Sequence, residues 1–190
     1  MTVQERAEAV IREIDELFEQ RGSDIYGEKV TQLQHAVQTA AHARLRGGDD
    51  LMVVACLLHD IGHLLHADAG SAYRDGIDDA HESLGAEWLR SRFPDAVTEP
   101  ARLHVASKRY LCGAEADYID GVSEASIRTL AMQGGPMSAE ECAEFVDGPF
   151  FARAVELRRC DDLGKDPEDH REAISDYHDV LAAVLNAHSR

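Results

Sequence analysis

The sequence predicts an all-α protein, a helical bundle in one domain. Three observations predict it. Apolar residues recur at intervals of three and four along nearly the whole chain, the period of a helix with one buried face. No convincing run of alternating apolar and polar residues marks a strand. No repeat, low-complexity tract or long linker divides the chain. With 190 residues, 44% hydrophobic and 29% charged, the chain has ordinary globular composition. A chain of this length buries roughly 70% of its unfolded surface, so it needs no disulfide or partner merely to fold.

The elements follow in order. Val10, Ile14, Leu17 and Phe18 mark one face of a first helix that Gly22 ends. Tyr26-Gly27-Glu28 falls in a short loop. Val30, Leu33, Val37, Ala40 and Ala41 mark a second helix, stopped at Gly47-Gly48. Asp49 or Asp50 caps a third that carries LMVVACLLHDIGH. That helix is apolar nearly all round, which places it at the centre of the bundle. A polar, glycine-bearing loop spans about residues 67–79. His81 to Phe93 forms a fourth helix with Leu84, Trp88 and Leu89 facing inward. Pro94 and Pro100 punctuate the chain, and residues 101–110 continue as helix. Ser123 caps a short helix that Gly134-Gly135-Pro136 ends, and Ser138 with Glu141 forms a capping box. Residues 149–163 and 168–188 are the last two helices.

Lys plus Arg number 19 against 36 Asp plus Glu, a net charge of −17. That balance argues against nucleic acid or an anionic membrane as a partner, since both attract cations. No protein partner is predicted. Cys56, Cys112, Cys142 and Cys160 form no CxxC pair and read as reduced thiols. The N-terminus is charged throughout and reads as no signal peptide. The longest apolar run, LMVVACLL, is far shorter than the ~20 residues a bilayer requires. The expectation is a soluble, cytoplasmic protein.

The chemistry centres on His59-Asp60. Burying an imidazole beside a carboxylate in an apolar helix is costly unless both are paired or hold a metal. Other helices carry matching groups: His35 on the apolar side of the second, His81 opening the fourth, His104 on the fifth, and Asp161 near the end of a late one. Any one of these histidines alone reads more simply as a hydrogen-bonded core residue. His42, His66, His170, His178 and His188 are left to that reading or to the surface. Taken together, four ligands satisfy one divalent ion. Six, with a carboxylate able to bridge, suit two ions about 3.5–4 Å apart. Nitrogen and carboxylate donors without thiolate favour Fe, Mn, Co or Zn.

This set resembles the H…HD…D pattern of the HD-domain superfamily, all-helical metalloproteins that are mostly phosphohydrolases. His81 and His104 extend it to the two-metal form. QLQHAVQTA around His35, LLHDIGH around the pair, HVASKRYL at 104–111 and AMQGGPM at 131–137 look like the PhnZ/TmpB-type phosphonate oxygenases, mixed-valence diiron enzymes related to myo-inositol oxygenase. The resemblance spans about residues 24–165. It implies one HD domain, with 1–22 as an N-terminal helix, 24–165 as the catalytic core and 166–190 as a C-terminal helix. By the same resemblance His35, His59, Asp60 and Asp161 hold one iron, and His81 and His104 hold the other, with Asp60 bridging. The implied cofactors are two iron ions, Fe2+ and Fe3+, with O2 as co-substrate. The implied reaction is oxidative cleavage of a carbon–phosphorus bond with release of phosphate.

The resemblance also assigns Glu28, His63, Lys108, Ser126, Gln133 and Arg158 to a pocket for a small organophosphonate. Lys108 lies four residues after His104 and Arg158 three before Asp161, so each cation shares a helical face with a ligand. In a chain of charge −17, local cations must hold the dianion. Glu28 matches a carboxylate that faces the substrate's nitrogen. The primary-amine branch of the family has Tyr-Ile-Gly-Glu at this loop, whereas this chain has Ile25-Tyr26-Gly27-Glu28. Ile25 replaces a hydroxyl with an apolar wall. A trimethylammonium has no donor to satisfy and tolerates carboxylates and aromatic faces. The expected substrate is 1-hydroxy-2-(trimethylammonio)ethylphosphonate, giving glycine betaine and phosphate, with Asp24, Ile25 and Tyr26 as a cationic subsite. The primary-amine analogue, giving glycine, is the alternative. A metal-dependent phosphohydrolase is the alternative of another class, and a noncatalytic metal-binding module a third.

Overall fold

The computed structural model describes residues 2–25, 28–65, 80–170 and 173–188. The expected loop at 67–79, His66 and two residues of the 24–28 loop, Tyr26 and Gly27, lie outside the described residues. Within them the fold is helical and holds no strand.

Helix α1 (Val3–Arg21) starts at a Thr2–Glu5 capping box and buries Ala7, Val10, Ile14 and Phe18. Helix α2 (Gln32–Leu45) starts at a second capping box, Thr31 with Gln34. Asp49 caps α3 (Asp50–Leu58) through the Met52 amide at 2.8 Å. Every residue from Met52 to Leu58 is buried, so α3 is the central helix. It packs against α2, α6 (Asp95–Arg102), α10 (Phe151–Leu163) and α11 (His178–His188). Removing Leu57 or Leu58 down to Ala costs about 2–5 kcal/mol in such a setting.

The expected single helix through LMVVACLLHDIGH is broken. α3 stops at Leu58, His59 and Asp60 form a turn, and α4 (Ile61–Leu65) restarts. The cause is local. His59 Nδ1 donates to the Cys56 carbonyl at 2.8 Å, the acceptor that an unbroken helix reserves for the Asp60 amide. The ligand pair therefore sits at a helix junction, not inside a helix.

Helix α5 (His81–Arg90) ends three residues earlier than expected, because the amides of Arg92 and Phe93 both turn back to the Leu89 carbonyl. Helix α6 (Asp95–Arg102) is an element the sequence reading did not separate. Pro100 lies inside it, and the break comes instead at Leu103. Helix α7 (His104–Ala114) then starts. Here the first device recurs: His104 Nδ1 donates to the Ala101 carbonyl at 2.7 Å, again three residues back at a helix end.

Ser123 caps α8 (Glu124–Met132) through the Ser126 amide. Gly134 and Gly135 follow with φ of 95° and 74°, a left-handed turn that glycine enters at little cost. Arg109 of α7 holds that turn, donating from Nε to the Gly135 carbonyl at 2.9 Å. The Ser138–Glu141 capping box starts α9 (Ala139–Val146). Helix α10 (Phe151–Leu163) runs back along α2 and α7. Residues 164–170 are not helical, contrary to the expected helix over 168–188. The reason is a strap: buried Gln38 donates to the carbonyls of Asp166 and Asp169 and accepts from the Asp166 amide. A short 3-10 turn (Ile174–Tyr177) leads into α11 (His178–His188), which lies on α1 and α3. No described helix is long and apolar enough to cross a membrane.

Candidate metal centre

Helix ends gather the six expected ligands. His35 lies in the first turn of α2, His59 and Asp60 in the α3–α4 turn, His81 opens α5, His104 opens α7, and Asp161 lies in the last turn of α10. Two close contacts between helices allow this. A Cβ on Gly62 would lie 1.9 Å from the His81 carbonyl, and one on Gly85 would lie 3.1 Å from the Gly62 amide, so α4 and α5 touch through bare backbone. A Cβ on Gly164 would lie 2.4 Å from Thr39 Oγ1, so the end of α10 abuts α2.

The donors form two sets that share Asp60. Its Oδ2 lies 3.5 Å from the Nε2 atoms of His35 and His59. Its Oδ1 lies 3.5 Å from His81 Nε2 and 3.4 Å from His104 Nε2. Asp161 Oδ1 completes the first set, 3.3 Å from His35 Nε2. Within the sets, the Nε2 atoms of His35 and His59 are 3.3 Å apart and those of His81 and His104 are 3.1 Å apart. His63 stacks on His81 with ring centroids 3.9 Å apart.

These residues fit a pair of metal ions. The Nδ1 atoms of His35, His59 and His104 each face a backbone carbonyl at 2.7–2.8 Å: those of Gly164, Cys56 and Ala101. A carbonyl only accepts, so each Nδ1 carries a proton. The neutral His59 and His104 rings aim lone pairs from Nε2. At His35 burial is outweighed by Asp161 and Asp60, which raise its pKa, so that ring gives up its Nε2 proton to take a metal. Lone pairs 3.3 Å apart repel unless a cation lies between them. Among the described residues Asp60 Oδ1 is buried without a hydrogen-bond partner, an orphaned anion oxygen facing two imidazoles.

The charges agree. Burial pushes the His59 and His104 imidazoles below the ordinary histidine range, so both are neutral ligands at neutral pH. Burial alone would raise the Asp60 carboxyl, but the positive charge that the surrounding histidines carry when protonated outweighs it and sets the Asp60 pKa well below the ordinary carboxylate range. At Asp161 burial is likewise outweighed, there by Arg158 and Lys165.

A cluster of charged side chains adjoins the centre through Asp161. Arg158, 3% exposed, donates from Nη1 to Asp161 Oδ2 at 2.6 Å and also binds Asp162, Ser126 and Tyr118. Lys108, also 3% exposed, donates to Thr129 Oγ1 at 2.8 Å. No carboxylate pairs with it among the described residues. Burial, with the Arg158 charge adding to it, lowers its pKa to about 8. Gln133 ends α8 two turns after Ser126, and its buried Oε1 has no hydrogen-bond partner among the described residues. Glu28 accepts from Ser123 Oγ at 2.6 Å and pairs with Lys165 at 3.1 Å.

The proposed cationic subsite is less gathered. Asp24 accepts from Arg21 at 2.9 Å, and Ile25 is 58% exposed. Sequence reading missed Asp162, Tyr118, Thr129 and Lys165. Asp162 and Lys165 stand four residues after Arg158 and Asp161, a spacing that could have found them. Tyr118 reaches Arg158 from forty residues away, with no local signal.

The HD-domain family matches residues 33–122, a span that holds five of the six ligands. The chain is 41% identical over 157 residues to the [1-hydroxy-2-(trimethylamino)ethyl]phosphonate dioxygenase (glycine-betaine-forming) of Leisingera caerulea, covering 82% of this chain and 80% of that protein. It is 42% identical over 171 residues to the hydroxymethylphosphonate dioxygenase of Gimesia maris, covering 90% and 85%. The chain belongs to the HD-domain phosphonate dioxygenases. A protein of Acanthamoeba polyphaga mimivirus, 35% identical over 158 residues and matched over 82% of this chain and 72% of its own length, carries no assigned activity.

Proposed function

We propose that this oxygenase uses two irons and O2 to cleave the carbon–phosphorus bond of 1-hydroxy-2-(trimethylammonio)ethylphosphonate, giving glycine betaine and phosphate. Asp60 carries the reading: its two oxygens face two separate histidine pairs, as a bridging carboxylate must. His35, His59, Asp60 and Asp161 would hold one iron, and His81, His104 and Asp60 the other. When bound, the irons supply the redox chemistry that activates O2. The chain's own groups bind and orient. Lys108 offers a point charge to the phosphonate from a dry site. Arg158, Ser126, Gln133 and His63 complete its surroundings, and Glu28 faces the cationic end. Held at both ends, the substrate presents its C1–H bond in one orientation. Cytoplasmic location and a single HD domain with its catalytic core at 24–165 belong to the same reading.

A second substrate, hydroxymethylphosphonate, is favoured by the Gimesia maris relative. The test is reconstitution with Fe(II) under nitrogen, followed by each phosphonate with and without O2, assaying phosphate. Oxygen-dependent release supports the proposal. Equal release under nitrogen would assign the site to hydrolysis.

A further inference from the structure

Lys165 lies just past the end of α10 and makes three contacts with its three donors. Its Nζ is 3.1 Å from Glu28 Oε1, 3.1 Å from Ser126 Oγ and 3.5 Å from Asp161 Oδ1. The Glu28–Lys165 pair ties the loop before α2 to the end of α10, and its side chains are 23% and 14% exposed. Arg158 is already engaged by two carboxylates, Asp161 and Asp162. Lys108 is the buried cation with no carboxylate paired to it among the described residues.

From this ledger, and resting on the proposed substrate class, we infer that the Glu28–Lys165 ion pair is a selectivity latch that a zwitterionic phosphonate opens with both of its charges. A phosphonate dianion needs two cations. Lys108 is one, and Lys165, already on Ser126 beside Arg158, is the other. Releasing Lys165 strands the Glu28 carboxylate, which is costly in a half-buried site. A substrate with a cationic end repays that cost by taking Glu28 itself. A phosphonate lacking that end does not. Preference for the zwitterion thus comes from a penalty against its rival as well as from a new contact.

The test is calorimetric titration under nitrogen of the iron-loaded protein with 1-hydroxy-2-(trimethylammonio)ethylphosphonate and with hydroxymethylphosphonate. Glu28→Gln removes the penalty and the contact together. It is expected to weaken zwitterion binding by about tenfold or more while tightening hydroxymethylphosphonate binding, and hydroxymethylphosphonate binding that stays equal would overturn the latch. Lys165→Met weakens both ligands, and Lys165→Arg restores both in part. Phosphate release by the wild type in air separates the two levels of failure. If neither phosphonate is turned over, the substrate reading fails and the latch with it. If the wild type is active but Glu28→Gln changes both affinities by the same factor, the latch alone is overturned. A melting temperature for each variant shows that the fold is intact.

Discussion

The histidine cage and the charged cluster meet at Asp161, yet they are held by different means. In the cage, backbone does the holding. Three imidazoles are pinned by main-chain carbonyls, and two helices touch through glycine with no side chain between them. In the cluster, side chains hold side chains. Arg158 binds Asp161, Asp162, Ser126 and Tyr118, and Lys165 binds Glu28 and Ser126. Backbone-fixed ligands tolerate little change, because moving one moves a helix. Ion pairs between side chains can be re-partnered one substitution at a time. A fold built this way keeps its metal chemistry while the preferred phosphonate drifts, and two relatives of similar identity are named for two different phosphonates.

Substitutions on either side sharpen that contrast. The largest effect is expected at Asp60→Ala, which removes the carboxylate shared by both donor sets. Bound iron measured by atomic absorption should fall well below that of the wild type. Turnover should drop by more than roughly 100-fold, the upper end for groups that merely orient ligands. Iron content equal to wild type would remove Asp60 from the bridge.

Lys108→Ala comes next. It takes away a desolvated charge and should cost about 2–5 kcal/mol in kcat/KM for the phosphonate, with iron content unchanged. The sign of the pH effect follows from the same residue. The protonated amine binds the anion, and the free enzyme loses that proton as pH rises through about 8. The kcat/KM profile, which reports the free enzyme, should therefore fall above pH about 8. Lys108→Arg should flatten that fall. An unaltered profile would separate Lys108 from substrate binding.

Gly62→Ala tests the backbone half directly. The added methyl meets the His81 carbonyl, so α5 must shift. A melting curve should show a loss of about 1–3 kcal/mol in stability. Iron content should fall with it, whereas substrate preference should not change. The smallest effect belongs to Ile25→Tyr. Restoring a hydroxyl at an exposed loop position should move the ratio of kcat/KM values toward the primary-amine substrate by under about tenfold, less than about 1.4 kcal/mol.

How much was legible in the sequence divides along the same line. Helix starts were readable because Asp49, Ser123 and Ser138 satisfy backbone amides within three residues, a purely local signal. That His35, His59, Asp60, His81, His104 and Asp161 belong together was readable because histidines and aspartates on apolar helix faces are rare and the family resemblance groups them. The breaks at His59 and Leu103 were not, because each depends on a histidine side chain turning onto a carbonyl three residues back, and apolar periodicity carries no record of that turn. The non-helical 164–170 segment escaped for a related reason: its partner, Gln38, lies more than a hundred residues upstream.

That strap gives the tail of the chain a task. The Gly164 carbonyl steadies the ring of His35, and Gln38, one turn further along α2, grips the residues that follow. Beyond them Tyr177 anchors to the Val37 carbonyl at 2.9 Å before α11 begins. The final stretch, which holds none of the six ligands, is thus tethered to the helix that bears the earliest of them. Trimming it would uncover the core that Tyr177, Leu181, Val184 and Leu185 fill and loosen the segment after Gly164 that braces His35, so a shortened protein should lose stability and iron together.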